Sequence, residues 1–186
     1  MSDSIVRPPS ETTPYAILFV CLGNICRSPA AENITNYLLR KRQLSDRIFC
    51  DSAGVLDYHV GKSPDPRMVF AANRRGVPMS GKARCVGEED LQVFDLILAM
   101  DRDNYEFLLS LDRRGQYRDK IRLMCDFCRD RSWSEVPDPY YDGPSGFEMV
   151  VDLLWDAGNG LLDYLIATEQ VLTASFDQME DLGNSI

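Results

Sequence analysis

The stretch Y15-AILFVCLGNICRS-P29 decides how this chain is read. Tyr15–Val20 is a nearly continuous apolar run, the pattern of a strand buried on both faces of a parallel sheet. Helical spacing takes over after Pro29, where Ala30, Ile34, Tyr37 and Leu38 share one stripe. The proline itself suits a first helical turn, where its missing N–H does no harm. Cys21–Ser28 therefore forms a tight loop between strand and helix, at the strand's carboxyl end, where open α/β sheets bind their ligands.

The loop residues suit an anion. Cys21 and Arg27 are spaced so that a loop wrapped around a phosphate brings both side chains to it, with successive backbone N–H groups pointing inward. Gly23 and Asn24 tolerate the positive φ that such a turn needs. The amide dipoles and helix N-terminus favour a thiolate at Cys21, and Ser28 is within reach to hydrogen-bond it. That matters because the chain has one histidine, His59, which leaves almost no material for a Cys-His dyad. Arg27 offers a planar fork matched to two phosphoryl oxygens.

Working outward, Ile48–Ser52, Asp95–Met100 and Ile121–Met124 read as further strands. Asp65–Arg75 reads as a helix stopped by Gly76 and Pro78, and residues 101–111 as another. Arg129–Pro144 is a polar stretch able to cover a site. From Phe147, the residues Val150, Val151, Leu154, Leu161 and Leu165 predict a long closing helix, weakened by Gly158 and Gly160. Strands alternating with helices imply an α/β fold: a single domain with a four-stranded parallel sheet flanked by helices on both faces. Residues 14–172 form this domain, between a polar N-terminal tail at 1–13 and an acidic C-terminal tail at 173–186.

The bulk composition agrees. With 186 residues, 45% of them hydrophobic, the chain can bury one sizeable core. A net charge of −9 disfavours nucleic acid and anionic membrane as general partners. No apolar run is long enough to span a bilayer, and the N-terminus lacks the pattern of a signal peptide. A cytoplasmic protein with six reduced cysteines is the expectation. Cys125 and Cys128 form a C-x-x-C, but no second ligand pair accompanies them, so thiols at the core or its edge are favoured over zinc or a redox pair.

The sequence VCLGNICRSPAAE, residues 20–32, resembles the active-site loop of low-molecular-weight protein-tyrosine phosphatases. DSAG at 51–54, RRGVPMSGKAR at 74–84, FDLILAMD at 94–101 and DPYY at 138–141 resemble that family's later motifs, in order, so the likeness covers about residues 15–168. The resemblance implies metal-independent hydrolysis of phosphotyrosine proteins through a cysteinyl-phosphate, with no cofactor. It assigns Cys21 as nucleophile, Arg27 as phosphate clamp and Asp138 as general acid. It further implies that Leu22, Gly23, Asn24, Ile25, Cys26 and Ser28 build the phosphate site, and that Tyr58 and Tyr140 line the pocket for the substrate ring. Cys26 reads either as a small buried hydrophobe or as a disulfide partner for Cys21, and the family favours the second. One departure is Arg75, where well-known members carry a histidine, which puts part of the hydrogen-bond network behind the loop in question.

Other functions leave weaker marks. An arsenate reductase of this fold needs a redox cysteine pair near the third strand, and residues 94–112 contain no cysteine. Asp101-Arg-Asp103 follows a strand as the aspartyl nucleophile of a metal-dependent phosphatase would, but Asp101 also fits a role in orienting Arg27. A dead phosphotyrosine-binding module would normally lose its nucleophile or acid. A protein-arginine phosphatase would carry small polar residues where Leu22 and Ile25 stand. The oligomeric state is not legible.

Overall fold

The computed structural model describes residues 13–168. The C-terminal segment 173–186, and all but the last residue of segment 1–13, lie outside the described residues. The strands are β1 (Tyr15–Cys21), β2 (Ile48–Gly54), β3 (Leu96–Ala99) and β4 (Ile121–Leu123). The α-helices are α1 (Arg27–Arg42), α2 (Pro66–Asn73), α3 (Glu88–Val93), α4 (Arg102–Leu111) and α5 (Pro144–Ala167). The four strands are all parallel, in the order β2-β1-β3-β4. β1 is therefore internal, and the chain leaves its carboxyl end at the point where strand order reverses, where such sheets open a crevice.

The apolar run of β1 is explained by burial on both faces. Ile17, Phe19 and Cys21 pack towards α1, α2 and α5, with Ile34, Leu38, Val150 and Leu154. Ala16, Leu18 and Val20 pack the other way, against Leu91 of α3, Phe94 and Leu108 of α4. Cys21 pairs in register with Gly54, which fixes the height at which the loop begins.

Several local details go beyond the sequence expectation. α3 was not anticipated: it is one and a half turns of EEDLQV, with too few apolar residues to show a period, and Asp90 caps it by accepting from the Gly87 N–H at 2.8 Å. α5 begins at Pro144, earlier than expected, because that proline fills the first turn. Gly158 and Gly160 lie inside the continuous α5, where other groups approach it. A Cβ on Gly158 would meet Leu38 Cδ1 of α1 at 3.1 Å, and one on Gly160 would fall 1.9 Å from the Phe127 carbonyl oxygen.

Candidate active site

Residues 22–26 wrap between the end of β1 and the first turn of α1. The carbonyls of Cys21, Leu22 and Ile25 accept from the N–H groups of Val55, Leu56 and Asp65 at 2.8–2.9 Å. Every peptide here is trans, so a carbonyl tied to the outer wall turns the next residue's N–H the opposite way, into the loop. Asn24 takes the left-handed conformation the turn requires, with φ of 53°. Its backbone N–H points at Cys21 Sγ, 3.3 Å away. A Cβ on Gly23 would lie 2.9 Å from the His59 ring, so a side chain there would need that ring to move.

Behind the loop, polar side chains form a continuous chain. Ser28 Oγ lies 3.0 Å from Cys21 Sγ. Asn24 Nδ2 donates to Ser28 Oγ and to Ser52 Oγ, both at 2.9 Å, while Asn24 Oδ1 accepts from the Arg84 N–H at 2.9 Å. Ser52 Oγ in turn donates to Glu32 Oε2 at 2.6 Å. This network answers the question raised by Arg75: that guanidinium is committed to Asp152 and Glu148 of α5, and the chain behind the loop closes without it.

Arg27 is almost fully buried and lies between two carboxylates. Its Nη1 donates to Asp101 Oδ2 and to the Val136 carbonyl, and its Nη2 donates to Asp138 Oδ2 at 2.7 Å. Burial alone works against the guanidinium's charge, but the surrounding Cys21, Asp138 and Asp101 outweigh it and hold the arginine pKa above its ordinary value. Asp101 also caps α4, its Oδ1 accepting from the Asn104 N–H at 2.8 Å. Asp138 hangs from the irregular stretch before α5, its side chain 41% exposed, with Oδ1 accepting from the Tyr140 N–H.

These groups open into a cavity of about 250 Å³. Its lining combines the buried Cys21, Cys26 and Arg27 with Leu22, Ile25 and Asp138 and with the exposed Tyr58, Tyr140 and Tyr141. The Tyr140 ring is backed by the Arg67 guanidinium, 5.2 Å from its centroid, and the Tyr58 ring by Lys62 Nζ at 5.0 Å. Tyr141 is almost wholly exposed. The Cys26 thiol is pushed up by burial and by nearby Asp65, Cys21 and Asp138, so it stays protonated. All six cysteines are free thiols. Among the described residues, no three His, Cys, Asp or Glu side chains converge as metal ligands, and no helix is long and apolar enough to cross a membrane.

The residues singled out in sequence thus meet in one place: Cys21 through Ser28, Tyr58, Asp138 and Tyr140 all belong to this cavity or to the loop that floors it. Sequence reasoning missed Ser52, Glu32 and the Val136 carbonyl. Ser52 and Glu32 stood inside the DSAG and SPAAE motifs without a chemical cue of their own, and a backbone carbonyl leaves no cue at all.

Comparison with known proteins agrees with the geometry. The family model described as low molecular weight phosphotyrosine protein phosphatase matches residues 16–171. The low molecular weight phosphotyrosine protein phosphatase of Sus scrofa is 41% identical over 145 residues, covering 76% of this chain and 89% of that one. Among solved structures, a protein tyrosine phosphatase from Entamoeba histolytica superposes with a TM-score of 0.80 at 44% identity, covering 83% of this chain and 98% of that one. The arginine phosphatase YwlE superposes with a TM-score of 0.75 at 26% identity, covering 84% and 99%. The chain belongs to the low molecular weight phosphotyrosine protein phosphatase family, and is an enzyme of that class.

Proposed function

We propose that this enzyme hydrolyses phosphotyrosine in proteins through a cysteinyl-phosphate formed on Cys21, without a metal ion. The observation that carries the reading is the convergence of the Cys21 sulfur, inward-turned amides and the Arg27 fork in one cavity that Tyr58, Tyr140 and Tyr141 also line. The Cys21 thiolate attacks phosphorus, and the bond to the tyrosyl oxygen breaks as Asp138 delivers its proton to that oxygen. The loop amides and Arg27 take up the charge on the phosphoryl oxygens. Asp138, now ionised, accepts a proton from the water that attacks the phosphoenzyme, releasing phosphate and restoring the thiolate. Arg27 Nη2 donates to Asp138, which places that carboxylate beside the guanidinium that receives the phosphoryl group.

Phosphotyrosine is favoured because Leu22 and Ile25 add apolar surface to the cavity that Tyr58 and Tyr140 also line, a lining suited to an aromatic ring. A free-thiol nucleophile suits the reducing cytoplasm. The test is turnover of phosphotyrosine, phosphothreonine, phosphoserine and phosphoarginine peptides with chelator present. Strong preference for phosphotyrosine supports the reading; preference for phosphoarginine, or loss of activity on chelation, overturns it.

A further inference from the structure

We propose that Glu32 is a positioning residue of the phosphate loop: its carboxylate, by accepting the Ser52 hydroxyl proton, sets the direction of the hydrogen-bond chain that runs through Asn24 and Ser28 to the Cys21 sulfur. The inference rests on the phosphatase reading for its catalytic consequence, and on the hydrogen-bond chain alone for its structural one.

The direction follows from counting protons. Both Asn24 Nδ2 hydrogens are donated, one to Ser28 Oγ and one to Ser52 Oγ. Ser52 therefore accepts from Asn24 and must place its own proton elsewhere, and Glu32 Oε2 at 2.6 Å takes it. An ionised carboxylate can only accept, so it permits one arrangement of the chain. At the far end Ser28, already accepting from Asn24, has its hydroxyl proton free for the sulfur or the Ala53 carbonyl. A protonated Glu32 can instead donate to Ser52, whose own proton then lacks its carboxylate acceptor, so Ser52 Oγ no longer faces Asn24 Nδ2 in one fixed arrangement. Asn24 is the residue whose left-handed backbone aims an N–H at Cys21 Sγ, so loosening it loosens the nucleophile's cradle.

Glu32 is also well placed to change state near neutrality. It lies on α1 facing β2 and the segment at 80–84, beside a cavity of about 10 Å³ bounded by Asn24, Ser52, Ser80 and Gly81, room for about one water. Burial, and then repulsion from Asp51 of β2, push its carboxyl up to about 7, against the Ser52 hydrogen bond and the Arg84 guanidinium. The other ionisable groups around it are the Cys50 thiol on β2, Lys82, and Asp90 of α3; Arg84 is shared between Asp51 and Asp90.

The Asn24 side-chain amide reports on this directly. In Cys21→Ser protein, where the nucleophile cannot titrate, the Asn24 Nδ2 proton resonances are expected to move with a midpoint near pH 7. That movement should vanish on adding Glu32→Gln, and on adding Ser52→Ala, which leaves Glu32 in place but cuts the link. In otherwise native protein, Glu32→Gln should lower kcat about fivefold at pH ~8, the scale of one hydrogen bond, and match the native enzyme at pH ~5.5, where both are uncharged. A flat Asn24 profile in Cys21→Ser protein, or one that persists in either double variant, overturns the proposal, as does an equal kcat deficit at both pH values. If native protein fails to turn over phosphotyrosine, the phosphatase reading falls while the resonance test still decides the role of Glu32.

Discussion

Asp138→Asn separates two jobs of one carboxylate: the proton donation of the proposed mechanism and the observed pairing with Arg27. As proton donor, Asp138 helps a tyrosyl oxygen leave with the basicity of a phenol of pKa about 10, and removing a general acid of this kind costs roughly 10²–10⁴ in rate. As partner of Arg27 Nη2 at 2.7 Å, the same carboxylate competes with the substrate's phosphoryl oxygens for the fork and repels their charge. Removing that competitor should strengthen inhibition by inorganic phosphate by several-fold, a gain of about 1 kcal/mol after screening at a 41% exposed side chain. The substitution is therefore expected to lower kcat/KM steeply while phosphate binds at least as tightly. The assay is kcat/KM across aryl phosphates of graded leaving-group pKa, with the phosphate inhibition constant measured alongside. The dependence on leaving-group pKa should steepen, because an acidic phenol needs little help. If phosphate binding weakens in proportion to kcat/KM and the slope is unchanged, Asp138 serves to hold Arg27 and is not the acid; Asp142 is then the next carboxylate to test.

Asp101→Asn keeps a good cap for α4 but removes a charged acceptor from the buried Arg27, worth about 1.5–3 kcal/mol, so kcat/KM should fall roughly 10–150-fold; an unchanged value in folded protein refutes the anchoring role. For Glu32 the folded form holds a proton that the unfolded chain releases between its ordinary 4.5 and about 7, so this group's contribution to stability falls as pH rises through that window, by about 3 kcal/mol in all. Urea unfolding should therefore show Glu32→Gln gaining on the native protein from pH ~5 to ~8, and a constant difference contradicts the raised carboxyl. Peroxide should inactivate reversibly: Cys21 is oxidised to the sulfenic acid, and the Cys26 thiol displaces water to form the 21–26 disulfide that reductant reopens. A Cys26→Ser variant that recovers as fully as native protein, or no such bridge by mass spectrometry, refutes this.

The strand-loop-helix unit was legible because two physical demands coincide in it. A strand buried on both faces must be apolar throughout, and a loop that cradles an anion must contain residues tolerant of left-handed backbone; Tyr15–Val20 meets the first and Asn24 the second, while Gly23 keeps a negative φ. Asp101 was legible for its position at a strand end, although its double duty as Arg27 partner and helix cap needed coordinates. α3 was not legible, since a short helix held by an acidic cap and one buried leucine has no hydrophobic period to detect. Gly158 and Gly160 were legible only as residues of low helix propensity; that they admit Leu38 and Phe127, distant in sequence, was not. Glu32 was hidden for the same reason: on the sequence it is a polar helix residue, and only the packing of α1 against β2 brings it to Ser52.

The central claim is that catalysis passes through a phosphoryl group on the Cys21 sulfur. Rapid mixing of enzyme with a phosphotyrosine peptide, alkaline quenching and mass spectrometry of the proteolysed chain measure it directly. One phosphoryl group per chain should accumulate on the peptide containing Cys21, faster than steady-state turnover, and be absent in Cys21→Ser. Turnover without that adduct, or a phosphoryl group on any other residue, contradicts the account.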